Sequence, residues 1–161
     1  MRWAELEQGA PDIAAAWRAE FELREVVLVG TLRRDGSPRI SGVAPYVLDD
    51  ELYLAMMWRS RKALDLLRDP RLVVHSPICT NTGSELELSL HGRVVDVREP
   101  KLRDRYTEAV SHTTRWKEPF HLFAVAIEST AMIRYEAGEQ SVKVWPKGVE
   151  FTRRYGETGT S

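Results

Sequence analysis

Two periods of apolar residues alternate along the chain and divide it into helices and strands. In "PDIAAAWRAEFE", residues 11–22, Ile13, Ala16, Trp17 and Phe21 recur at helical spacing, and Pro11 suits a first helical position. The texture then turns β-branched. "EVVLVGTLRR" runs into Asp35-Gly36, a hairpin signal. "SPRISGVAPYVL" is the return strand, Asp49-Asp50 a second turn, and "ELYLAMM" a third strand, so a meander of three strands is expected. A helix follows from Ser60 to just before Pro70, then the strand "RLVVHSPI" and the turn "TNTGS". "ELELSLHGRVVDV", residues 85–97, has period two: Leu86, Leu88 and Leu90 alternate with Glu85, Glu87, Ser89 and His91, and Gly92 marks a bulge or bend. Leu102, Tyr106, Ala109 and Val110 make one stripe of a helix from Pro100 to His112. After the polar connection "TTRWKEP" come the long strand "HLFAVAIESTAMIRY" and a closing hairpin, "QSVKVW" and "VEFTRRY" around "PKG". Short antiparallel strands with tight turns and few helices argue for a barrel or sandwich.

A length of 161 residues suits a single domain, 1–161, with an N-terminal helix, 1–24, and a flexible tail, 156–161. The 23 basic and 24 acidic residues balance to a net charge of −1, so any anion site must be local. This balance argues against nucleic acid, despite "RRDGSPR". No apolar run suits a membrane span, and Glu5, Glu7 and Asp12 stand where a signal peptide would be apolar. One cysteine, Cys79, cannot form an internal disulfide, which fits a reducing, cytoplasmic setting. His75, His91, His112 and His121 show no metal-ligand spacing, so no metal is expected. There is no nucleophile elbow, Walker loop or dinucleotide fingerprint.

The sharpest local anomaly is "WRSRKALDLLRDP", residues 58–70. The start of a helix is already partly positive, because its first N–H groups lack partners. Yet Arg61 and Lys62 occupy the first turn, with Arg59 just ahead. A bound phosphate would compensate: Ser60 offers a hydroxyl, Arg61 a planar fork and Lys62 a point charge. Arg39, on the second strand, can reach the same anion if that strand neighbours the third. The plain alternative is a solvated helix whose Arg61 pairs with Asp65, four residues on.

The ordered set "DGSPR", "SRKALDLLRDP" and "HGRV" resembles the flavin-binding split-barrel family, which includes pyridoxamine phosphate oxidases and deazaflavin-dependent reductases. The resemblance runs from Val26 to Val97 and continues more weakly beyond. It implies a mainly β fold with flanking helices, an antiparallel six-stranded split β-barrel, usually a homodimer with two cofactors at the interface. It implies that FMN, or the deazaflavin coenzyme F-420, is held at its phosphate by Arg39, Ser60, Arg61 and Lys62, with Ser41 on the same strand. Ala55, Met56 and Met57 would lie along the ring, Glu87 stands where the oxidases carry a glutamine, and Trp145 with Arg153 or Arg154 matches their late tryptophan and arginine. The oxidases' ring-contacting lysine is absent; its position falls near Ala44. The implied chemistry is hydride transfer with a small organic substrate, the flavin supplying the redox step, and no protein residue is expected to be an obligatory acid or base. A non-enzymatic flavin-binding or storage protein is the alternative, and a cofactor-free dimeric interaction module the plainest one. Trp116, unusual in a polar loop, suits interface burial or a lid over the cofactor.

Overall fold

The computed structural model describes residues 1–80, 82, 85–112 and 116–154. The expected flexible tail lies outside the described residues, as do parts of "TNTGS" and "TTRWKEP". Two helices open the chain, α1 (Trp3–Gly9) and α2 (Pro11–Arg24). They are followed by β1 (Val27–Leu32), β2 (Pro38–Val43), β3 (Pro45–Leu48) and β4 (Glu51–Met57). Helix α3 (Arg61–Arg68) leads to β5 (Arg71–His75) and β6 (Glu87–Asp96), and α4 (Pro100–Ala109) to β7 (Phe120–Glu136), β8 (Glu139–Trp145) and β9 (Val149–Arg154).

All strand pairs are antiparallel, in the order β2-β1-β5-β6-β7-β4-β3. β7 is long enough to serve two neighbours on one side. Phe120–Ala124 pairs with β4, and Thr130–Glu136 pairs with β8, which carries β9. Opposite, β6 follows β7 with a register shift between His91 and Gly92. Gly92 is required there, because a Cβ would stand 2.4 Å from the Ala126 carbonyl oxygen.

The expected three-strand meander is corrected at Ala44. The return segment is two strands: β2 pairs with β1, while β3 pairs with β4. Pro45 cannot donate to a ladder and restricts the residue before it, so the ladder breaks there. β2 and β3 thus become edges of an open, curled sheet, and β9 on the β8 branch is another. The second correction is to the expected N-terminal helix 1–24, which is two helices, α1 and α2, parted at Ala10.

Two apolar clusters hold the fold. Inside the curl, Val27, Val29, Leu54, Met56, Leu88, Leu90 and Phe123 pack with Trp3, Leu6, Ile13 and Trp17 from the first two helices. On the outer face of β4 and β7, α4 lays Tyr106 and Val110 over Tyr53, Ala55, Phe120 and Leu122. Trp116 joins this second cluster, its ring centroid 5.4 Å from that of Phe120. Trp17 donates its indole N–H to Thr130 Oγ1 at 2.9 Å, and Thr130 donates to the Ser89 carbonyl at 2.9 Å, so the polar atoms of these two buried side chains are satisfied. Among the described residues, no helix is long and apolar enough to cross a membrane.

Candidate functional site

The β1–β2 turn is closed by Asp35, whose Oδ1 accepts from the Ser37 amide at 2.9 Å and hydroxyl at 2.6 Å, with Gly36 at φ 83°. This hairpin sets Arg39 opposite Thr31, on the strand face that also carries Ser41 and Val43. Helix α3 packs its apolar stripe, Ala63 and Leu66, into the inner cluster. Asp65 lies on that buried side and is only 4% exposed. Its Oδ2 accepts from Arg39 Nε at 2.6 Å and from Thr31 Oγ1 at 3.1 Å; its Oδ1 accepts from Arg68 Nη2 at 3.3 Å. Burial pushes the Asp65 carboxyl up, but the hydrogen bonds from Arg39, Thr31 and Arg68 outweigh it and hold the group below its ordinary range. Asp65 is therefore an ionised anchor that ties β2 to α3 and fixes the Arg39 guanidinium.

Arg59, in the left-handed region at φ 54°, turns the chain into α3. Ser60 occupies the N-cap position, but its side chain makes no cap hydrogen bond, and its buried Oγ has no partner. An unpaired buried hydroxyl is costly, by about 1–3 kcal/mol. Lys62 bends across to β2 and donates to the Gly42 carbonyl at 2.6 Å; burial lowers its pKa. Arg61 and Arg39 line one cleft of about 560 Å³, together with Arg33, Arg34, Asp35 and Arg68. Asp65, a possible partner for Arg61 by its spacing, pairs with Arg39 and Arg68 instead.

Arg39 and Arg61 thus line one cleft, whose lining includes neither Ser41, Ser60 nor Lys62; Lys62 is tied to Gly42 of β2, and Ser60 stands at the start of α3. Ala55, Met56 and Met57 lead directly into it. Their strand pairs with β7 on one side, while β3 ends at Pro45 opposite Leu54, so this stretch is an open edge. Met56 points into the core and Ala55 lies under α4, which leaves the backbone and the exposed Met57 to face the opening. Glu87 and Trp145 stand elsewhere. Glu87 is three strands from β2, about 14 Å across the sheet at ~4.8 Å per strand. Trp145 packs against α1, so close to Gly9 that a Cβ there would be 2.7 Å from its Nε1. Arg153 bonds Gln140, and Arg154 bonds Glu139 at 2.9 Å.

Two notable residues lie outside the predicted set. Asp65 could have been found as an acid between Ala63 and Leu66 on an otherwise apolar helix face. His121 is 6% exposed, its Nε2 has no partner, and Trp58 stacks on it at 4.5 Å and 12°. Among the described residues, no group of three or more acidic, histidine or cysteine side chains could hold a metal.

This architecture places the chain in a class of flavin-type split barrels, and its sequence agrees. The chain belongs to the pyridoxamine 5'-phosphate oxidase family, whose sequence model matches residues 13–134. Among solved structures it is similar to a pyridoxamine 5'-phosphate oxidase-related, FMN binding protein from Nostoc punctiforme, at 11% identity and a TM-score of 0.63, covering 90% of this chain and 95% of that one. A protein related to general stress protein 26, of the pyridoxinephosphate oxidase family, from Clostridium acetobutylicum is 13% identical, with a TM-score of 0.59 and coverage of 88% and 93%. A heme binding protein from Mycobacterium smegmatis is 16% identical, with a TM-score of 0.58 and coverage of 87% and 57%. These likenesses establish the fold. No curated protein matches the chain in sequence.

Proposed function

We propose that the chain is a flavin-dependent oxidoreductase that binds FMN in the cleft between β2 and α3 and acts on a small organic substrate. The observation that carries this reading is the unpaired, buried Ser60 hydroxyl at the start of a helix whose next residue, Arg61, lines a cleft with Arg39. A phosphate fits it: the hydroxyl and free N–H groups donate, and the cations offset the charge. Arg39 is preset by Asp65, so little ordering cost remains on binding. The open edge Ala55–Met57 offers backbone donors and acceptors to the ring. FMN, when bound, supplies the hydride chemistry.

Neither Glu87 nor Trp145 lines the cleft that holds Arg39, which favours a homodimer whose second chain completes the ring site. The outer face of β1 and β2 supports this, since Val26, Leu28 and Ile40 are exposed there, Ile40 at 72%. The lone, exposed Cys79 thiol is consistent with a cytoplasmic setting.

The test is a titration of the purified protein with FMN, and in parallel with coenzyme F-420, followed by flavin fluorescence and absorbance. Losing two charged hydrogen bonds at about 1.5–3 kcal/mol each, Arg61→Ala with Lys62→Ala should weaken binding by 10²-fold or more, with a thermal melt no lower than that of wild type. Equal affinity in the double variant, or no binding of either flavin at micromolar concentration, defeats the reading. Reoxidation of the reduced flavin no faster with candidate substrates than without them would leave a binding or storage protein.

A further inference from the structure

An aromatic stack ties the link between β4 and α3 to the sheet. The Ser60 amide donates to the Met57 carbonyl at 3.0 Å, so Trp58 and Arg59 form a tight turn directly ahead of α3. Arg59 sits there in the left-handed region, at φ 54°, which a side chain opposes. Trp58 is 53% exposed, yet its ring lies flat on His121, with centroids 4.5 Å apart and 12° between the planes. His121 in turn stacks on Phe123, at 6.0 Å and 13°, and Phe123 is fully buried in the inner cluster. Three rings therefore run from the core to the turn that precedes Ser60.

The middle ring is the one that can change. His121 is almost wholly buried and its Nε2 has no hydrogen-bond partner. The charged groups that act on it are Asp96, on β6 opposite Phe123, and Arg103 from α4. Both are engaged elsewhere, Asp96 with Arg98 at 2.7 Å and Arg103 with Glu118 and the Val97 and Phe120 carbonyls. Burial lowers the His121 pKa; Asp96 offsets part of this and Arg103 adds to it, so the ring is neutral at neutral pH. A neutral ring tolerates an unpaired nitrogen beneath an indole. An imidazolium does not, because its Nε2–H is then a charged donor, buried without an acceptor. The indole face attracts a cation, but in a parallel stack that N–H lies in the ring plane and points past the face. Water can satisfy it once Trp58 lifts away.

We propose that Trp58 on His121 is a pH-operated latch that positions the start of α3 for its anion. With His121 neutral the latch is shut, and the turn holds Ser60 and Arg61 in binding geometry. A proton taken up at His121 lifts Trp58, frees the strained turn at Arg59 and loosens the grip on the anion. Trp58 and His121 are positioning residues, acting through the turn rather than on the flavin. The effect on FMN rests on the flavin reading above; the latch itself does not.

Two measurements test it. In the flavin-free protein, ¹³C-labelled histidine NMR locates the His121 titration, and hydrogen exchange follows the protection of the Ser60 amide, corrected for the pH dependence of intrinsic exchange. Below that titration, protection should fall by about tenfold per pH unit in wild type and stay level in His121→Phe, which keeps the stack without the proton. Trp58→Ala should leave Ser60 unprotected at every pH, and Trp58→Phe should restore protection at neutral pH. Equal profiles in wild type and His121→Phe, or full protection in Trp58→Ala, overturn the latch. FMN affinity is then measured by fluorescence over the same pH range. The FMN phosphate ionises at about pH 6 and acts on both proteins alike, so wild type should lose up to about tenfold more affinity per pH unit than His121→Phe. Parallel affinity profiles overturn the link to the anion. If neither protein binds FMN, the flavin reading falls, and the exchange of Ser60 alone decides the latch.

Discussion

Asp65→Asn removes one charge from the centre of the candidate site while keeping its shape. The wild-type carboxylate is 4% exposed and accepts from Arg39, Thr31 and Arg68. An asparagine can still accept from Thr31 with its one carbonyl oxygen, but its NH₂ must face a guanidinium. Breaking a buried ion pair on one side costs about 3–5 kcal/mol, since the other charge is stranded. Arg39 is 24% exposed on its side chain, so water recovers part of this, and a loss of about 2–3 kcal/mol at neutral pH is expected. The pH dependence carries the sign. The folded carboxyl titrates below its ordinary 3.8, so its contribution is full above that pH and fades as the pH falls through the folded value. Urea unfolding of both proteins at a series of pH values measures this directly, provided the m-values agree. The gap between them should close in acid. A variant within about 0.5 kcal/mol of wild type at neutral pH, or a gap that persists undiminished in acid, refutes the anchor role. FMN affinity should fall with stability, since Arg39 loses the contact that aims it.

Gly92→Ala should lower stability by more than about 3 kcal/mol or prevent folding, because its Cβ meets the Ala126 backbone, which cannot swing aside as a side chain can; circular dichroism melts decide this. His121→Phe should flatten the pH dependence of stability. Burial lowers the pKa of His121 below 6.5, only partly offset by Asp96, so wild type is fully stabilised above that pH and loses stability as the pH falls below it toward the folded value. Urea midpoints between neutral and mildly acid pH should fall less in the variant than in wild type. Parallel slopes would remove His121 as a source.

The strands were legible where one face of the sheet is wet. The alternation of Leu86, Leu88 and Leu90 lies within or beside β6, whose Leu88 and Leu90 are buried, and Asp35-Gly36 and Asp49-Asp50 sit at hairpin turns. The break at Ala44 was also written in the chain, as Pro45, but apolar runs on both sides hid it. The division of the expected helix 1–24 at Ala10 was not legible, because the buried side of α1 is only Trp3 and Leu6, and seven residues are too few for a separate helical period to stand out. For the site, the run of charges at the start of α3 pointed to the right place. Asp65 did not stand out, because its partners Thr31 and Arg39 are 34 and 26 residues away in sequence. The same holds for His121, which meets Trp58 only through the pairing of β4 with β7.

Lys62 separates a binding residue from a structural one. It stands in the first turn of α3, where the helix dipole repels a cation by about 0.3–1 kcal/mol. Burial also lowers its pKa, so the folded state holds its proton less tightly than the unfolded chain does. Stability should therefore rise with pH as Lys62 loses its charge, up to the ordinary value of 10.5. Its one described bond, to the Gly42 carbonyl, is on an exposed residue to which water can donate instead. Lys62→Met keeps the stem's packing and removes the charge. The flavin-free variant should gain about 0.5–1 kcal/mol at neutral pH and lose the rise toward alkaline pH. FMN binding should weaken at least tenfold in the same protein, since a charged hydrogen bond of about 1.5–3 kcal/mol is gone. Stability and affinity thus move in opposite directions, as they do when a cation is kept for its ligand at the expense of the fold. A variant that loses both would make Lys62 a structural residue, and one that gains stability with affinity intact would move the phosphate away from α3.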